Sequence, residues 1–264
     1  MADLPSWRTT ASGPGADGAI VAVDFANTGR PDSGFGALVP RLDTDHSLWE
    51  TVVPEPGTEA GMGGGDYLDR WTGELAPGAP AVAAVFGYCA SSTFALALAD
   101  RIAGWQRRPN VVLFDPTRIT GPTVLRYGFT PVIDSLLPVL GEEDVERARE
   151  SAAEAVRTHT GLAPLCAELL RIYAEAGTAA FQRIGLPADR AEELVAWFRA
   201  YLRYVAAASA LPVGADPAGV TVIRANDLPD GPFAAERELR FDVPHTGLLG
   251  HPGVADAVTA LLRA

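Results

Sequence analysis

Residues 81–105 read AVAAVFGYCASSTFALALADRIAGW, and VVLF follows at 111–114. Ala81 to Phe86 is a run of small and β-branched apolar residues, the pattern of a strand buried on both faces. Gly87-Tyr88-Cys89-Ala90-Ser91 reads as a tight turn. Ser92 to Trp105 places Phe94, Leu98 and Ile102 on one stripe at helical spacing. Val111 to Phe114 is a second apolar strand, closed by Asp115-Pro116. Strand, helix and strand within about thirty residues make a βαβ unit, and such a crossover joins parallel strands. The fold class is therefore α/β, with a mostly parallel central sheet flanked by helices.

Outward from this unit the same alternation continues. Ala19 to Phe25 (AIVAVDF) reads as a strand, Phe35 to Leu42 as a helix and Leu48 to Val53 as a strand stopped by Pro54 and Pro56. Gly61 to Gly65 reads as a flexible turn into a helix at Asp66 to Leu75. From Thr117 to about Ser209 the pattern is helical, with amphipathic stretches at 142–157, 162–176 and 188–208. Strand signals return at Val220 to Arg224 and Leu239 to Val243, and His251 to Leu262 closes as a helix with Pro252 in its first turn. The expected layout is one sheet core, 19–116 and 209–264, interrupted by a helical insertion at 117–208. Residues 1–18, rich in Ser, Thr, Gly and Pro, read as a flexible lead-in.

Composition removes several function classes. All 21 basic residues among the 264 are Arg. Without Lys there is no Schiff-base or pyridoxal phosphate chemistry and no phosphate-loop Gly-Lys-Ser/Thr. A net charge of −12 with dispersed Arg argues against nucleic acid as a partner. Only two cysteines occur, Cys89 and Cys166, so no disulfide framework is implied. His46, His159 and His251 show no paired ligand spacing, so no metal site is expected. No apolar run is long enough for a membrane span, and Met1 to Gly18 lacks a basic start followed by an apolar stretch. The expectation is a cytoplasmic protein with no bound cofactor.

Chemistry concentrates at the turn. In a G-x-S-x-G nucleophile elbow a strand turns sharply into a helix, and small neighbours relieve the clash around a strained central residue. Here Gly87 and Ser91 flank the motif and Cys89 holds its centre, beside a helix N-terminus that favours an anion. Taken alone, Cys89 reads equally as a small buried hydrophobe. A nucleophilic Cys needs a His to take its proton and a third group to orient that His. Asp115 ends the next strand, where sites in open α/β sheets are built. His245 follows the last strand in VPHTGLL, residues 243–249. Nucleophile, acid and histidine thus come in α/β-hydrolase order. Asp227, after the strand at 220–224, is a rival acid, and its other reading is a turn residue in Asn226 to Gly231. Asp24, near the end of a buried strand, is expected to form hydrogen bonds more than to do chemistry.

These motifs resemble the α/β-hydrolase thioesterases of nonribosomal peptide and polyketide assembly lines. The resemblance rests on Phe86-Gly87-Tyr88-Cys89-Ala90, on Val111 to Asp115 and on Pro244 to Leu249, and it spans residues 19 to 264. It departs from the family in having Cys89 for Ser and Ser91-Ser92 where Gly is usual. The first strand's loop is Asp24-Phe25-Ala26-Asn27-Thr28-Gly29 instead of the Pro-rich one.

The resemblance implies an α/β-hydrolase fold with residues 117–208 as its lid. It implies Cys89 as nucleophile, His245 as general base and Asp115 as the residue holding the His tautomer. The backbone N–H groups of Ala90 and Ala26 would form the oxyanion hole. The substrate would be an acyl or peptidyl thioester on the phosphopantetheine arm of a carrier protein, released by hydrolysis or cyclisation. Attack by Cys gives another thioester, near thermoneutral, so transfer to a second carrier, an amine or an alcohol is the alternative. A third reading is a non-catalytic binding module on the same fold. An acidic carrier would need an Arg patch for docking, with Arg107, Arg108, Arg118 and Arg126 as candidates.

Overall fold

The computed structural model describes residues 4–13, 18–25, 34–75, 80–214, 216–227 and 231–263. Along the chain come β1 (Trp7–Ala11), β2 (Ala19–Val23), α1 (Phe35–Leu38), β3 (Ser47–Thr51), α2 (Gly64–Leu75), β4 (Val82–Tyr88), α3 (Ser92–Ile102) and β5 (Asn110–Phe114). Then follow α4 (Gly121–Thr123), a π-helical turn at Val124–Phe129, α5 (Thr130–Asp134), α6 (Leu137–Leu140), α7 (Glu142–Thr158), α8 (Leu162–Arg183) and α9 (Ala188–Ser209). The chain closes with β6 (Val220–Ala225), β7 (Arg237–Phe241) and α10 (Pro252–Arg263).

The chain divides into two compact units. One comprises Met1–Val53, Gly63–Arg118 and Ala210–Ala264; the other comprises Pro54–Met62 and Ile119–Ser209. In the second unit the described residues from Gly121 to Ser209 are mostly helical, and Pro54–Met62 is a turn segment. In it α8 packs against α7 and α9, and a buried Glu59 accepts from Arg203 at 2.7 Å, tying Pro54–Met62 to α9. No helix among the described residues is long and apolar enough to cross a membrane.

The first unit holds a seven-stranded sheet in the order β1-β3-β2-β4-β5-β6-β7, parallel except for the β1–β3 pair. This is the mostly parallel sheet flanked by helices that the βαβ pattern requires. Side chains alternate along each strand. Ile20, Ala22, Ala84, Phe86, Tyr88, Val112, Phe114 and Ile223 join Phe35 and Leu38 of α1 and Val254 and Val258 of α10 in one apolar cluster. Phe86 and Phe114 meet edge-on at 5.5 Å, and Phe35 packs edge-on against Phe114 at 5.8 Å. On α2 and α3, Tyr67 and Trp71 pack against Phe94.

Three local readings change. Residues 7–11 are not part of a loose lead-in: they form β1, an antiparallel edge strand on β3 in register Trp7↔Thr51. Trp7 is buried and its indole N–H donates to the Trp71 carbonyl at 3.1 Å. Averaging composition over eighteen residues hid five, of which Trp7, Thr9 and Thr10 carry the aromatic and β-branched side chains that suit a strand. Gly64 and Gly65 lie inside α2 instead of in a turn before it. β4 runs on through Gly87 and Tyr88, which pair with Leu113 and Phe114.

Gly87 is required by its neighbours. A Cβ there would lie 2.6 Å from the Ala95 Cβ and 2.9 Å from the Ser92 Cα. The close approach of α3 to β4 depends on a missing side chain. Gly87→Ala is therefore expected to destabilise the fold by about 1–3 kcal/mol, the usual penalty for overpacking. Urea unfolding measures it, and an unchanged midpoint would refute the packing account.

Candidate active site

Two strained residues mark the carboxyl ends of adjacent strands. Cys89 and Asp115 are the described non-glycine residues with positive φ, at 51° and 46°. The left-handed conformation disfavours a Cβ, so it persists where the surroundings enforce it. At Cys89 the enforcement comes from β4 leading into a 3-10 turn, Cys89–Ser91, that runs straight into α3. β4 is also the strand at which sheet building reverses: earlier strands lie on one side of it and later ones on the other. Crevices at such switch points are where open α/β sheets bind ligands.

Asp115 follows β5 and is wholly buried, at 0% exposure. Its N–H donates to the Ile223 carbonyl at 2.8 Å, and its Oδ1 accepts the Ala225 N–H at 2.8 Å. Its Oδ2 lies 2.7 Å from His245 Nδ1. The buried Arg224 donates to the Pro116 carbonyl at 3.3 Å and steadies the same turn. A carboxylate accepts only, so Nδ1 carries a proton and Nε2 is the nitrogen left for chemistry.

His245 opens a 3-10 turn, His245–Gly247, and is 8% exposed. Its backbone N–H donates to Asp227 Oδ1 at 3.0 Å. The two candidate acids thus take different parts: Asp115 meets the ring, and Asp227 holds the backbone of the loop. Cys89 also acts on the imidazole and favours its protonated form. Burial alone works against an imidazolium here, but the hydrogen bonds and charges of Asp115 and Cys89 more than offset it and raise the pKa to about 9. Cys89 itself is partly exposed. Cys166, in the helical unit, is buried, and burial pushes its thiol up to about 11.

The structure adds a residue to which the sequence reading gave no role. The Tyr88 ring stacks on the His245 ring, with centroids 5.1 Å apart and planes 10° apart, and its hydroxyl lies 3.1 Å from Nε2. Strand alternation could have placed Tyr88 on the same face as Ala84 and Phe86. What covers that face is a loop more than 150 residues away in sequence, with no local signal.

Ala90 sits in the turn that starts the helix, where backbone N–H groups lack intrahelical partners. Ala26 lies outside the described residues. Asp24 accepts from the Phe25 N–H at 2.7 Å and exchanges backbone hydrogen bonds with the Thr51 hydroxyl, as a hydrogen-bonding residue should. Among the described residues, no three His, Cys, Asp or Glu side chains gather as metal ligands.

The fold recurs in solved structures. The Vlm2 thioesterase domain with genetically encoded 2,3-diaminopropionic acid, bound with a dodecadepsipeptide, matches with a TM-score of 0.57 at 15% identity, covering 99% of this chain and 98% of that one. The thioesterase domain SrfTE, which cyclises the lipopeptide antibiotic surfactin, matches at 0.51 and 16% identity over 94% and 92% of the two chains. A four-domain nonribosomal peptide synthetase bound to AMP and glycine matches at 0.58 and 13% identity, over 97% of this chain and 20% of that one. No protein-family model matches the chain, and no curated protein does. The likeness establishes the α/β-hydrolase fold.

Two outcomes follow from the electrostatics. An NMR titration of the His245 ring should give a pKa near 9, lowered in Asp115→Asn. Asp227→Ala should leave it near the wild-type value, because Asp227 touches the backbone N–H and not the ring. Equal shifts in both variants would contradict the division of labour. The raised pKa also links to stability. His245 titrates near 6.5 when unfolded and near 9 when folded, so its contribution is complete below about pH 6.5 and is lost as pH rises through about 9. The expected loss is on the order of 3 kcal/mol. Urea midpoints in wild type and His245→Gln measure it, and equal slopes between pH 6.5 and 9 would refute it.

Proposed function

We propose that this protein is an acyl-transfer enzyme of the thioesterase type, acting on a carrier-bound acyl or peptidyl thioester in natural-product biosynthesis. The observation that carries the reading is the buried Asp115–His245 hydrogen bond at 2.7 Å, with Cys89 acting electrostatically on the same imidazole, at the carboxyl ends of β4 and β5. The fold shared with thioesterase domains of peptide synthetases supports the substrate class.

In the proposed mechanism Cys89 passes its proton to Nε2 of His245 and its sulfur attacks the thioester carbonyl. The backbone N–H of Ala90, with that of Ala26 as the second donor, receives the developing oxyanion. His245, as imidazolium, gives its Nε2 proton to the departing phosphopantetheine thiol, and Asp115 keeps the ring in the tautomer that allows it. The acyl group now rests on Cys89 as a thioester. The neutral imidazole then accepts a proton from the second nucleophile. That nucleophile is water for hydrolysis, a group within the acyl chain for cyclisation, or an outside amine, alcohol or carrier thiol for transfer. Cys89 supports transfer as well as hydrolysis, because a thioester intermediate keeps the acyl group activated where an oxoester would not. The proposed partner is an acyl or peptidyl carrier protein, and no cofactor takes part in the steps.

Intact-mass spectrometry tests the reading. Incubation with an acyl-loaded carrier protein, or with an acyl N-acetylcysteamine thioester, should give an acyl adduct on Cys89. Cys89→Ala should give none, although Cys166 remains. An adduct confined to Cys166, or no adduct on the wild-type protein, would overturn the reading in favour of a binding module.

A further inference from the structure

Tyr88 precedes the proposed nucleophile and is 3% exposed. Its hydroxyl has two neighbours on His245: Nε2 at 3.1 Å and the backbone carbonyl at 3.4 Å. The other ring nitrogen is committed, because Nδ1 lies 2.7 Å from the buried Asp115 carboxylate. The ring therefore gains and loses its proton at Nε2, the atom the hydroxyl faces. When Nε2 is protonated it donates, and the Tyr88 oxygen can accept while its own proton goes to the His245 carbonyl. When Nε2 is a bare lone pair, the hydroxyl rotates and donates into it.

We propose that Tyr88 is a positioning residue: it occupies the proton-accepting nitrogen of His245 in the acyl-enzyme and thereby slows water more than a better nucleophile. The inference rests on the acyl-enzyme reading above. In acylation, the bond from Cys89 sulfur to the acyl carbon forms and the bond from the carrier sulfur to that carbon breaks. The departing sulfur takes the Nε2 proton and leaves as a thiol. The acylated sulfur now has neither proton nor charge to engage Nε2, so Tyr88 becomes the donor to the bare lone pair. In hydrolysis, water oxygen bonds to the acyl carbon, the Cys89 C–S bond breaks, and a water proton must pass to Nε2 and on to the Cys89 sulfur. Water is a poor nucleophile until that proton is leaving, so it must first displace the tyrosine hydroxyl. An amine brings its own lone pair and bonds to the acyl carbon first; the Cys89 C–S bond then breaks, and the amine's proton passes afterwards to the departing Cys89 sulfur. Occupation of Nε2 therefore handicaps hydrolysis more than aminolysis. Among the described residues, the titratable groups facing the ring or its backbone are Asp115 after β5, Tyr88 and Cys89 at the end of β4, and Asp227 after β6.

Tyr88→Phe keeps the stacked ring and deletes the hydroxyl. Acyl-Cys89 is formed with a pulse of an acyl N-acetylcysteamine thioester, and its decay is followed by intact-mass spectrometry in buffer and with added glycinamide. Hydrolysis should become roughly fivefold to tenfold faster, the worth of one hydrogen bond. Aminolysis by glycinamide should change by less than about twofold. A purely structural role would slow both reactions together. Unchanged or slower hydrolysis, with the adduct still forming, overturns the role of Tyr88 alone. Failure of the wild-type protein to form an adduct overturns the acyl-enzyme reading and this inference with it. Should Tyr88→Phe not fold, 3-fluorotyrosine at position 88 keeps every contact and donates more strongly. It should slow hydrolysis, and an unchanged rate overturns the inference.

Discussion

A carboxylate with no access to water must be satisfied by the protein, and Asp115 is such a group. Its donors come from two other parts of the chain: the Ala225 N–H at the end of β6 and Nδ1 of His245. Its own N–H reaches back to Ile223. These bonds fix where β5 ends against β6 and where the loop after β7 must lie. They also require the backbone at Asp115 to turn left-handed, a conformation that Asp tolerates better than most residues. The site depends on this one anchored acid.

From that anchor the electrostatics follow in sequence. Burial makes an imidazolium expensive, yet Asp115 on one side and Cys89 on the other hold His245 protonated into the alkaline range. Tyr88 stacks on the same ring and addresses its Nε2, while Asp227 grips the backbone of the loop from outside the ring. Two acids that occupy similar places in the sequence pattern therefore do unlike work. The difference is geometric: one carboxylate meets a side chain, the other a main chain.

Much of the sheet was legible because its signals are local. The β4–α3–β5 unit carries period-2 and period-3.6 patterns over enough residues to be read directly, and Gly87 marks the place where helix and strand close on each other. The edge strand β1 was not legible. Five residues between turn-formers look loose until Trp7 is seen to pack and pair across a separation of more than forty residues. The same limit applies to the end of β4. Gly87 and Tyr88 read as a turn, but pairing with Leu113 and Phe114 keeps them in the sheet.

The sequence by itself determined the α/β class, the turn that presents Cys89, and the chain order of cysteine, acid and histidine. Each depends on neighbours a few residues apart, where backbone geometry couples residue type to conformation. The tertiary structure alone decided which acid faces the imidazole, how Asp227 is used, and that a tyrosine hydroxyl sits on Nε2. Those outcomes depend on groups separated by 18 to 157 positions, whose meeting is set by strand register and loop packing and leaves no periodic trace along the chain.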